Sequence, residues 1–258
     1  MAQEDHDRSI PSERIPPLEP KMRKVITGVA IYAFVGVAAV STIMFVTPQS
    51  ASVRAVVGMM LVVVLVWCII GGTLALIYKD RVRAFVLRLP GSWQVKFVIF
   101  AITMLLLEEV CTVTMTNMAP LFGVKIGEAY ITASSNYLDV VLGHSVIVLF
   151  PHFIVWAWFL TKYDVSPAMV FLLYGITGNI AEVQFGGLSN ALAGFWIFIY
   201  GLMIYLPAYC IPMDRDVKRP KWWFYPISLI LPGFASVPFV IWVQILHPIQ
   251  PIHFPPIK

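Results

Sequence analysis

Residues 97–122 read FVIFAITMLLLEEVCTVTMTNMAPLF. The stretch is apolar over the roughly 20 residues that a helix needs to cross a bilayer, yet Glu108 and Glu109 stand side by side at its centre. An ionisable side chain at bilayer depth costs at least about 2.5 kcal/mol on insertion scales, so such residues face a bundle interior or a water-filled cavity and mark function. The reading is a membrane-spanning helix with a polar site on its inner side.

Working outward, the whole chain has the composition of a membrane protein. Of its 258 residues 59% are hydrophobic and 12% charged, and the mean hydropathy is +0.81. These values lie outside the range of soluble globular domains. Apolar runs at 25–46, 53–78, 97–121, 138–160, 167–185, 191–211 and 223–246 predict an all-α polytopic transmembrane bundle of about seven spans. The run at 167–185 is short and carries Gly175, Gly178, Asn179 and Glu182. Seven spans do not divide into two equal halves, and no internal repeat is visible, which speaks against an inverted-repeat transporter.

Charge orients the bundle. Basic residues gather before the first run (Arg8, Arg14, Lys21, Arg23, Lys24), between the second and third (Lys79, Arg81, Arg83, Arg88, Lys96), after the fourth (Lys162) and between the sixth and seventh (Arg215, Lys218, Arg219, Lys221). Only Arg54, Lys125 and Lys258 fall on the other side. The positive-inside rule then predicts a cytoplasmic N-terminus and an external C-terminus in the cell membrane. The net charge of +4 is this loop bias and calls for no nucleic acid. The expected partners are the lipid bilayer and other membrane-protein chains or copies of this one.

The predicted organisation is a polar cytoplasmic tail over 1–24, a single transmembrane domain over 25–246 and a Pro-rich external tail over 247–258. The first apolar run starts late and is too long for a signal-peptide core of roughly 7–15 residues. Cys68, Cys111 and Cys210 lack CxxC spacing and read as small packing residues. The loop RVRAFVLRLPGSWQVK (81–96) alternates basic and apolar residues and suits either an in-plane amphipathic segment or a plain positive-inside loop. The loop FGVKIGEAYITASSNY (122–137) exceeds a minimal turn; it reads as a lid or re-entrant piece, or as a cover over helix ends.

Helical spacing assembles the candidate site. Glu109, Thr112 and Thr116 share one face, and Glu108 points about 100° away towards Cys111 and Met115. Asp139 falls at the outer rim of the fourth run, with His144 below it and His152 past the midplane. Asn117, Asn179 and Glu182 lie in the outer half. Glu109, His144, Asn179 and Glu182 are predicted to surround one pocket. In it a glutamate accepts a proton from water while His or Asn stabilises the oxyanion. Catalytic candidates are Glu109, His144 and Glu108; binding candidates are Asn179, Glu182, Asn117 and Asp139. A divalent metal, if present, would take Glu109, Asp139, His144 and Glu182. Against these stand plainer roles: Thr112 and Thr116 bonding the preceding turn, Asn179 joining two helices, and His152 as a packing histidine beside Pro151.

The paired Glu108–Glu109 followed by His144 from a later span resembles the opening of the CAAX-protease family of intramembrane glutamate proteases. That resemblance implies water activation by a glutamate. It covers two short stretches: the family's EExxxR has Arg where this chain has Val113, its FxxxH has Phe where this chain has Val140, and no later HxxxN follows. No GxGxxG, Walker, HExxH or GxSxG pattern is present. The functional expectation is an intramembrane hydrolase. Its alternatives are a non-catalytic membrane subunit or scaffold and a proton- or ion-coupled transporter.

Overall fold

A computed structural model describes residues 19–192 and 194–248, without the side chains of 184–186 and 189–191. The expected tails therefore lie mostly outside the described residues, as do Arg8, Arg14 and Lys258. The described chain is helical, with no β-strand.

Helix α1 (Pro20–Val46) opens on proline, whose missing N–H costs nothing in a first turn. It stops where Thr47 turns extended before Pro48, since a residue preceding proline is pushed out of the helical region. Ser50 then accepts the Val53 amide at 3.2 Å and starts α2 (Ala51–Val63). A π-helical segment, Val64–Gly71, joins α2 to α3 (Gly72–Arg88) without a break. The resulting rod of 38 residues is about 57 Å long, well beyond a hydrocarbon core of about 30 Å. Residues 81–88 belong to it and 93–96 to the next helix, so the basic and apolar stretch expected as a loop or in-plane segment is mostly helix, with a turn only at 89–92. The π turn presents Trp67, whose Nε1 donates to the Ile199 carbonyl at 3.1 Å.

The chain reverses through Gly91 at φ 100° into α4 (Trp93–Asn117), the helix of the paired glutamates. The expected fourth run is interrupted. A short helix, α5 (Tyr137–Gly143), ends at His144, whose φ of −148° and ψ of −106° are not helical, and α6 (Ser145–Lys162) starts afresh. Gly143, with its low helix propensity, sits directly before the break. Then follow α7 (Pro167–Leu192), interrupted by Gly187 at φ 70°, α8 (Trp196–Tyr209) and α9 (Phe224–Leu246).

Five helical segments are long and apolar enough to cross a membrane: Pro20–Val46, Ala51–Arg88, Trp93–Asn117, Ser145–Lys162 and Phe224–Leu246. Two more, Pro167–Val183 and Trp196–Tyr209, are apolar but shorter. These two form the tightest contact in the molecule. A Cβ at Gly175 would meet the Ile197 carbonyl oxygen at 2.3 Å, and one at Gly178 would enter the Tyr200 ring at 2.0 Å. Small residues let backbones approach where no hydrophobic drive separates helix from lipid. The core mixes α4, α6, α7, α8 and α9 through Leu105, Trp156, Tyr174, Ile199 and Phe224. Many large apolar side chains instead point outward, Phe34, Ile69 and Phe234 among them, as lipid-facing surfaces require.

Candidate functional site

The segment after α4 builds the site. Its first part packs on the opening turns of α2, where Val124 and Ala129 meet Ala55 and Met59. Its second part lies against α4, held by four hydrogen bonds. Asn117 Nδ2 donates to the Ser135 carbonyl at 2.7 Å, and the Ile131 amide donates to Thr116 Oγ1 at 3.3 Å. Thr132 Oγ1 donates to Glu109 Oε2 at 3.2 Å, and the Tyr137 hydroxyl donates to the Leu106 carbonyl at 3.0 Å. Leu106 lies about 16 Å from the Asn117 end of the helix. Ala129, Ala133 and Ser134 are each no more than 2% exposed. The segment thus covers the start of α2 and reaches alongside α4 as well.

Glu109 is the centre of a hydrogen-bonded cluster. Its carboxylate accepts from Thr112 Oγ1 at 3.1 Å, one turn along the same helix, and from Thr132 Oγ1 in the 122–137 segment; the Ser145 hydroxyl at the start of α6 stands close to it. Ser145 Oγ in turn lies 3.0 Å from His144 Nδ1. The helix break at His144 makes this possible: it starts α6 with Ser145 beside Glu109 and turns the histidine out of the helical register. Glu109 and His144 thus flank one hydroxyl group, that of Ser145, which the sequence did not single out. The adjacency of Ser145 to His144 was the available signal; the helix break was not legible.

The other candidates do not join this cluster. Glu108 is buried and points away from Glu109 by about one residue's rotation. It lies within electrostatic range of Glu182, Cys68 and Cys111. Glu182 Oε1 accepts the Tyr200 hydroxyl at 2.6 Å, a contact made possible by Gly178, over which the Tyr200 ring lies. Glu108, Glu182 and Tyr200 therefore form a second polar centre on the α7–α8 side of α4. The single pocket expected around Glu109, His144, Asn179 and Glu182 is two sites.

Asn179 Oδ1 is buried and makes no hydrogen bond among the described residues. Asp139 Oδ2 accepts from Ser134 Oγ at 3.0 Å and, with Asn117, fastens the 122–137 segment. Among the described residues no group of three or more His, Cys, Asp or Glu side chains is placed to hold a metal ion. The metal set expected from Glu109, Asp139, His144 and Glu182 is dispersed, because α4 turns its two carboxylates to different neighbours. His152 packs edge-on against Tyr174 at 5.9 Å between ring centroids, in keeping with a packing role. Thr112 also lies 3.2 Å from the Glu109 carbonyl, so its structural role and its contact with the carboxylate coexist.

No protein-family model, curated protein or solved structure matches the chain.

Proposed function

We propose that this chain crosses the cell membrane about seven times, N-terminus in the cytoplasm and C-terminus outside, and acts as an intramembrane hydrolase. The seven-span count takes the five long helices together with α8 and the Pro167–Val183 part of α7. Those two are about 21 and 25 Å long, and a short span is accommodated by local thinning of the bilayer. The orientation rests on the basic residues at the Arg88, Lys162 and Lys221 end. The tails at 1–24 and 247–258 flank one transmembrane domain.

The observation that carries the catalytic reading is the chain His144–Ser145–Glu109 beside the 122–137 segment. Glu109 accepts the proton of an attacking water. Ser145 is a positioning residue that ties the carboxylate to His144, and the histidine stabilises the oxyanion or returns the proton to the leaving group. Glu108 faces the second centre and has no part in that step. The substrate is a membrane-embedded ester or amide, because Glu109 is only 4% exposed and stands within an apolar helix long enough to cross a membrane.

The test is Glu109→Gln, which keeps shape and hydrogen bonding but cannot act as a base. Reconstituted protein is incubated with defined single-span peptides and lipid esters, and products are read by mass spectrometry. Loss of general-base catalysis should lower turnover by about 10²–10⁴-fold with the fold intact. A second reading, a non-catalytic subunit, is favoured by the hydroxyl groups that already surround Glu109. On that reading Glu109→Gln is neutral, while Glu109→Leu loses assembly. A coupled transporter would instead keep exchange and lose proton-driven accumulation.

A further inference from the structure

At the end of the bundle that carries Arg88, Trp93 and Lys162, α3 meets the last turn of α8. Asp80 Oδ1 accepts the Tyr209 hydroxyl at 2.6 Å, and Lys79 Nζ stands 5.2 Å from the centroid of the Tyr209 ring. Arg83, one turn after Lys79 on the same helix face, lies within electrostatic range of Tyr209 and Cys210. It is only 9% exposed. Its Nη1 is buried and has no hydrogen-bond partner among the described residues.

The contrast with Arg215 at the same end is instructive. That guanidinium donates from Nε to the Pro212 carbonyl at 2.8 Å, from Nη1 to the Leu160 carbonyl, and lies over the Trp93 ring at 5.4 Å. Burial of Arg215 disfavours its charged form, offset in part by Asp164 and Asp214. Arg83 has no comparable set of acceptors. The C-terminal end of α8 attracts a cation through its dipole, but that does not give Nη1 an acceptor. A buried donor without a partner is costly, and a buried charge more so.

We propose that Arg83 anchors a binding site for a phosphate group, with Lys79 supplying a second positive charge. A guanidinium presents a planar fork of donors that matches phosphate oxygens, whereas an ammonium acts as a point charge. Asp80, three residues before Arg83 on α3, is turned to Tyr209. The site stands where α3 passes from exposed apolar residues, Leu76 and Ile77, to the basic run ending at Arg88. Trp222 is exposed on the segment leading into α9, as in an interfacial aromatic belt. The phosphate at this level is that of an anionic phospholipid headgroup; free phosphate offers the same chemistry, and the test separates them.

The full chain is placed in nanodiscs of phosphatidylcholine alone, or of phosphatidylcholine with phosphatidylglycerol, and thermal unfolding is followed. A third sample, in detergent, receives inorganic phosphate. Phosphatidylglycerol should raise the Tm of the wild type and of Arg88→Gln, which removes an exposed cation. Arg83→Gln should lose most of that rise and bind about tenfold more weakly. In phosphatidylcholine alone, whose phosphate is paired with its own choline cation, Arg83→Gln should be at least as stable as the wild type, because it removes a buried donor that lacks a strong acceptor. A rise with inorganic phosphate in detergent, absent in Arg83→Gln, would make free phosphate the ligand. Equal shifts in the wild type and Arg83→Gln would reduce the effect to general attraction between basic loops and lipid. Destabilisation of Arg83→Gln in neutral lipid would make Arg83 a structural cap. Should that variant not fold, native mass spectrometry of the wild type decides: failure to retain phosphatidylglycerol or phosphate through delipidation overturns the site.

Discussion

Ser145 is the residue on which the candidate site turns, because its hydroxyl serves a carboxylate from one helix and the histidine beside it in sequence. A hydrogen bond to a charged group contributes about 1.5–3 kcal/mol. Ser145→Ala should therefore slow hydrolysis by about ten- to a hundredfold and lower the unfolding free energy by about 1–3 kcal/mol, with substrate KM unchanged. A fall of the Glu109→Gln size, with trapping of an acyl group on Ser145, would instead make the serine the nucleophile. The second polar centre makes a separate prediction. Tyr200→Phe removes the 2.6 Å bond to Glu182 and should cost about 1–3 kcal/mol in unfolding free energy, without the turnover defect of Ser145→Ala. At this scale the sequence disclosed Glu109 and His144 by their cost in lipid. It did not disclose Thr132, an ordinary hydroxyl residue in a polar loop.

Two elements depart from plain spans, and each is testable by itself. The later part of segment 122–137 lies against α4, so a cysteine at Ala133, which is 2% exposed, should resist a membrane-impermeant maleimide. A cysteine at Ile126, 55% exposed, should react. Both are introduced after Cys68, Cys111 and Cys210 are replaced, and rapid labelling at position 133 would mean that the segment lies outside the bundle. The α7–α8 pair is the other element. Gly178→Ala drives a methyl into the Tyr200 ring and should destabilise by about 1–3 kcal/mol through overpacking. Gly28→Ala is the control: it meets nothing within 4 Å in the middle of α1 and should be neutral or stabilising by up to about 1 kcal/mol. Equal effects would remove close packing as the reason for Gly178. The glycines were visible in the sequence as small residues on an apolar run. Their partner, and hence the route by which Tyr200 reaches Glu182, was not.

For the whole molecule the prediction is topological. A reporter fused after Lys221 should be cytoplasmic and one fused after Lys258 external, since a single span separates them. The same side for both would break the seven-span arrangement. The α1 helix belongs to this scale as well. Ala33 is its one buried residue, so it adds a largely lipid-facing rod to the bundle and contributes little to either polar centre. Its removal should leave Ser145-dependent turnover intact in protein that still inserts, measured on the same reconstituted substrates.

Composition and patterning alone were enough to read the class of the protein. Long apolar runs cannot be dissolved in water, backbone groups in lipid must be satisfied within a helix, and basic residues collect at one end of the bundle. The sequence also singled out Glu109 and His144, because an ionisable group in hydrocarbon is retained only where the interior needs it. What only the tertiary structure decided is which polar groups meet. Helical periodicity assigns a side chain to a face of its own helix but says nothing of the neighbour that face will meet. The break at His144, the packing of residues 122–137 on α2 and α4, and the close approach of α7 to α8 each depend on contacts distant in sequence. Those contacts turned one expected pocket into two centres, with Glu109, Ser145 and His144 in one and Glu108, Glu182 and Tyr200 in the other.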